Sequence, residues 1–89
     1  MNKSDIISEI EGRVNRSKQA DYTLSTIGIS DKPKTRKDKH ESDGKDVTYW
    51  KDWSTNSEKD GREIEEYFLD KGMKGDRGDD GLANYVYLF

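Results

Sequence analysis

An α+β domain is the fold class this sequence predicts. It has a small three-stranded, mainly antiparallel sheet with three helices, in the order α-β-α-β-α-β. Three observations predict it. Ile6, Ile7, Ile10 and Val14 recur at helical spacing. The segments YTLSTIGIS (22–30) and NYVYLF (84–89) are β-branched and aromatic, as strands are. Between them, Ser57 and Gly72 bound a second periodic stretch with an N-cap residue and a C-terminal glycine.

The first helix is expected over 4–19, with Asp5 and Glu9 near its positive N-terminal end and Arg16 and Lys18 near its negative end. Gly12 costs it about 1 kcal/mol relative to alanine. The strand over 22–30 follows. Pro33 fits the first turn of a second helix, where its missing N–H is no loss. That helix runs to about Ser42, and Asp43-Gly44 breaks it. VTYWKDW (47–53) is the second strand, with Trp50 and Trp53 on opposite faces. The third helix spans 58–71. The stretch 72–84, with glycine at every third position, reads as a flexible loop, and three such repeats without proline cannot hold a collagen-like helix. The last strand sets Tyr85, Tyr87 and Phe89 on one face and Val86 and Leu88 on the other.

The 89 residues make a single domain, 1–89, with little stability to spare. Only 29% of the chain is apolar and 39% is charged. Folding must offset roughly 1.5 kcal/mol of conformational entropy per residue. The nine aromatic residues therefore supply much of the core, at about 150–250 Å² each. With no cysteine and one histidine, disulfide frameworks, thiolate metal sites and multi-histidine sites are excluded. A carboxylate-bound Mg²⁺ is not. No apolar run approaches a membrane span or a signal-peptide core, so the chain is expected to be cytoplasmic, without a membrane partner, as a monomer or homodimer.

The charge is divided along the chain. Residues 13–40 hold eight Lys/Arg against three Asp, whereas residues 41–89 hold seven basic and thirteen acidic side chains. Such a division either neutralises itself in the fold or marks a face for an anionic partner. The second helix is where the difference shows, because residues 31–43 contain no aliphatic or aromatic side chain. Its only candidates for an inward face are Pro33, Arg36 and His40, with Thr35 or Lys37 beside them, and Lys34, Lys37 and Lys39 are candidate phosphate contacts. The third helix has the opposite anomaly. At about 100° per residue, Glu65 falls inside the apolar arc between Phe68 and Leu69, while Glu63 and Glu66 fall outside it. A carboxylate there needs a cation or a metal. An Arg36–Glu65 ion pair would explain both oddities. So would a phosphodiester site, with Arg36 gripping phosphate and Glu65 holding Mg²⁺.

Ile27-Gly28-Ile29-Ser30 followed by Pro33, Arg36 and His40 resembles the second half of the GIY-YIG nuclease pattern, in which a strand leads into a helix with an essential arginine. Gly61-Arg62-Glu63-Ile64-Glu65 is similar to that family's later helix, whose glutamate binds the divalent metal. The match covers about residues 22–71. It implies a Mg²⁺-dependent endonuclease with Arg36, His40, Glu65 and Tyr22 as catalytic candidates. Thr26 stands where the family has tyrosine, and no separate Gly-Ile-Tyr strand precedes it, so the first-tyrosine motif is missing and cleavage is expected to be weak or absent. The expected function is nucleic-acid interaction. The alternative is a regulatory or inhibitory protein that binds a protein partner through the acidic second half. A further candidate is an aromatic platform of Trp50 with Tyr85, Tyr87 and Phe89, on which single-stranded bases would stack.

Overall fold

The computed structural model describes residues 2–16, 21–76 and 84–89. It is an α+β domain whose described residues form three α-helices and a mixed sheet of four strands. In chain order these are α1 (Lys3–Arg16), β1 (Thr26–Ser30), α2 (Pro33–Ser42), β2 (Lys51–Ser54), α3 (Glu58–Asp70), β3 (Lys74–Asp76) and β4 (Tyr85–Leu88). The strands lie side by side as β2-β4-β1-β3. β4 runs antiparallel to both β1 and β2, and β3 runs parallel to β1.

The sheet separates two unlike layers. On one face Ile27 and Ile29 of β1, Trp53 of β2 and Val86 and Leu88 of β4 meet Ile6, Ile10 and Val14 of α1 and Ile64 and Phe68 of α3. Each of these large side chains contributes about 1.5–3 kcal/mol by leaving water, which is how so polar a chain meets its entropy cost. Three contacts lace α1 to α3 at their rim: Lys3 Nζ to Glu63 Oε2 at 2.6 Å, Tyr67 Oη donating to Glu11 at 3.1 Å, and Lys71 near Glu11 at 4.0 Å. The other face carries Gly28 opposite Tyr87, followed by Phe89, and α2 covers it with Arg36 and His40.

The structure corrects the expected architecture in four places. The sheet has four strands, not three, because Lys74–Asp76 of the presumed loop pairs with Thr26–Gly28. The remainder of that loop, 77–83, lies outside the described residues, as do 17–20 at the expected end of the first helix. β3 is parallel because α3 carries the chain back along the sheet, and Gly72 at φ 106° then turns it. The turn is a Schellman cap, with Met73 N–H bonding Phe68 C=O at 3.1 Å and Gly72 N–H bonding Leu69 C=O at 3.0 Å.

Tyr22–Leu24 is a 3₁₀ turn and not part of a strand, because Asp21 accepts from both the backbone and the hydroxyl of Thr23, at 2.9 and 2.7 Å. The second strand is Lys51–Ser54, shorter than 47–53. Asp46 accepts from Thr48 N–H at 2.9 Å and Trp50 N–H reaches Val47 C=O at 3.1 Å, folding 46–50 into a turn.

Candidate nucleic-acid interface

α2 is held by two polar side chains. Arg36 and His40, one turn apart, are 7% and 5% exposed and are the buried residues of the helix. The His40 ring lies 4.6 Å from Phe89, 6.1 Å from Tyr87 and 6.3 Å from Trp50, centroid to centroid. None of Ser30, Arg36, His40, Glu65 and Tyr87 is without an interaction partner. Burying an arginine and a histidine under a helix with no apolar side chain makes sense only if the rest of the helix is meant to stay in water.

The outward side is basic. Lys32, Lys34 and Lys39 are exposed and Lys37 is half-buried. Among the described residues none of the four enters an ion pair, whereas Lys3, Lys59, Arg62 and Lys71 all pair with glutamates of α1 or α3. Glutamates of α1 and α3 thus neutralise some of the other basic residues, and among the described residues the α2 lysines are uncommitted.

The remaining candidates are dispersed. Glu65 is half-buried at the flank of the Gly61, Ile64 and Phe68 stripe, but Glu63 is equally half-buried, against Lys3, and Leu69, expected at the edge of the apolar arc, is exposed, as is Glu66. Tyr22 stacks on Phe68 at 6.0 Å, beneath the Lys71 ammonium at 5.5 Å, on the α1/α3 side of the sheet. Among the described residues no group of three or more His, Cys, Asp or Glu side chains is placed to hold a metal ion.

Trp50 is placed inside the aromatic cluster. Its ring stacks on Tyr87 at 4.6 Å and 16° and on Phe89 at 5.3 Å and 17°, and its Nε1 donates to Asp52 at 2.9 Å. Tyr87 is fully buried and Trp50, Tyr85 and Phe89 are half-buried, so the rings stack mainly on one another. Sequence reasoning passed over Tyr49, which is 78% exposed at the tip of the 46–50 turn. The signal was present: Asp46 two residues before Thr48 is an Asx-turn pattern, which breaks a strand and turns out the side chain that follows.

No family model, no curated protein and no solved structure matches the chain. Among the described residues no helix is long and apolar enough to cross a membrane.

Proposed function

We propose that this domain binds nucleic acid through its phosphates, with α2 as the contacting element and with weak or absent cleavage. The observation that carries the reading is the division of labour on α2: Arg36 and His40 point inward and fix the helix, while Lys32, Lys34, Lys37 and Lys39 enter no ion pair among the described residues. Lysine is a point charge on a flexible stem, suited to tracking a phosphate backbone without reading sequence. The resemblance to GIY-YIG nucleases supports the same partner class. It does not extend to hydrolysis, since Tyr22, the available substitute for the missing tyrosine, packs on Phe68 across the sheet from His40.

Titration of a labelled oligonucleotide at several salt concentrations tests the proposal. Neutralising four or five phosphates gives a log–log salt slope of about −3 to −4. Charge reversal at Lys34, Lys37 and Lys39 together should abolish binding while leaving the thermal melt in place, since these side chains are not core. No binding by the wild type at low salt would refute the reading and favour a protein partner for the acidic surface.

A further inference from the structure

A cleft of about 710 Å³ opens at the end of the sheet where α1 finishes and the 46–50 turn begins. Its lining includes Arg13, Arg16, Leu24, Asp46, Tyr49 and Leu88. The volume is within the range of small-molecule sites, roughly 300–1,000 Å³. Two features set it apart from an incidental surface depression. Tyr49 is held in place through its backbone, because Arg13 Nη2 donates to its carbonyl at 2.7 Å and Asp46 and Val47 close the turn before it. Leu24, 57% exposed, lines the same cleft and adds apolar surface to it. An aromatic ring pinned by its main chain but free at its side chain is a stacking face already ordered before a ligand arrives.

The charges fit one class of occupant. Arg13 makes a single side-chain hydrogen bond among the described residues, and a guanidinium has five N–H donors. Arg16 enters no ion pair among the described residues. The one acid among the described lining residues, Asp46, is engaged by Thr48, whose hydroxyl and N–H hold its carboxyl below the usual range. The cleft also continues toward α2. A second groove of about 380 Å³, lined by Lys37, Glu41 and Lys45 among others, shares Asp46 with the first. Lys37 of α2 thus lies in a groove adjoining a cleft that holds an exposed aromatic ring and two arginines.

We infer that this cleft takes a base and its adjoining phosphate from a single-stranded nucleic acid, with Tyr49 stacking on the base and Arg13 and Arg16 contacting the phosphate. The inference deepens the proposed function and rests on it: α2 supplies non-specific affinity, and the cleft makes the preferred ligand single-stranded, since a paired base cannot present its face to Tyr49.

Anisotropy titrations of the full chain with fluorescein-labelled decathymidylate, and with a ten-base-pair duplex, provide the test. Tyr49→Ala should weaken decathymidylate binding by roughly 5- to 100-fold, the range for loss of one stacked base. Duplex affinity should stay unchanged, and Tyr49→Phe should retain the wild-type value. Arg16→Gln, whose side chain lies at the surface, should lower the salt slope for the single strand by about 0.7. Circular-dichroism melts check that the variants fold, and the Arg16 variant carries the test if Tyr49→Ala does not. Decathymidylate binding that is indifferent to both substitutions would overturn the cleft while leaving the α2 reading in place. Equal weakening of both probes by Tyr49→Ala would overturn the single-strand assignment. If neither probe binds the wild type, both readings fall together.

Discussion

Adding one methyl group at Gly28 should be among the most damaging small changes in this protein. Gly28 and Tyr87 are partners across β1 and β4, and the Tyr87 ring lies over the glycine. A Cβ at position 28 would stand 2.7 Å from Tyr87 Cε2 and closer still to Cζ and Oη. Carbon atoms pack at about 3.5–4.0 Å, so the ring would have to move by about an ångström. It has little room to do so, being fully buried with Trp50 stacked at 4.6 Å and His40 at 6.1 Å.

Overpacking of this kind costs about 1–3 kcal/mol, and the gain of about 0.5–1 kcal/mol from replacing glycine in a strand offsets part of it. With the cost at the upper end of its range, Gly28→Ala should lose about 2 kcal/mol. A domain of this length has roughly 4–13 kcal/mol in total. Urea unfolding followed by tryptophan fluorescence measures the loss. The Gly28→Ala/Tyr87→Leu double variant should lose less than the sum of its singles by at least about 1 kcal/mol, because removing the ring removes the clash. A neutral Gly28→Ala variant, or strict additivity in the double, would refute the close approach of strand and ring.

Two more predictions concern the elements that frame the sheet. Ser57 caps α3 by accepting from Asp60 N–H at 3.1 Å. Ser57→Ala should therefore cost about 1 kcal/mol in the same unfolding assay, and Ser57→Asp should not. The Lys3–Glu63 contact gives a pH dependence of known sign. The hydrogen bond and charge of Lys3 hold the Glu63 carboxyl below its ordinary value, and Glu63 raises the Lys3 ammonium. The carboxylate's contribution is present above its unfolded-state pKa, near 4.3, and is lost as pH falls through the lower folded value. The ammonium's contribution is present below about 10.4 and is lost as pH rises through the raised folded value. Lys3→Met should return Glu63 to the ordinary carboxylate range in an NMR titration. An unchanged Glu63 titration would show that the contact does not form in solution.

Periodicity and composition determined much of this protein. The buried positions Ile6, Ile10, Val14, Ile64 and Phe68 were legible because a helix must gather its few apolar residues on one stripe. The alternation in 84–89 separated Val86 and Leu88 from Tyr87 and Phe89, since a pleated strand allows no other arrangement. The inward placement of Arg36 and His40 followed from the lack of any apolar competitor on α2. Glu65 was singled out by its place in the helical pattern, and that place and the resemblance both pointed to a cation or a metal as its partner.

Tertiary structure decided the rest, where backbone geometry and not side-chain type carried the information. β3 consists of Lys74, Gly75 and Asp76, none of which favours a strand, and it exists because the Schellman turn at Gly72 brings its backbone alongside β1. The 22–24 and 46–50 segments have strand-like residues, but Asp21 and Asp46 bond their own backbones and win locally. Trp50 thereby stacks on Tyr87 and Phe89, and Tyr49, which had no expected role, stands out beside Arg13. The Asx-turn pattern at Asp46 marked Tyr49, but which rings are covered was decided by the fold, because α2 is placed by contacts distant along the chain.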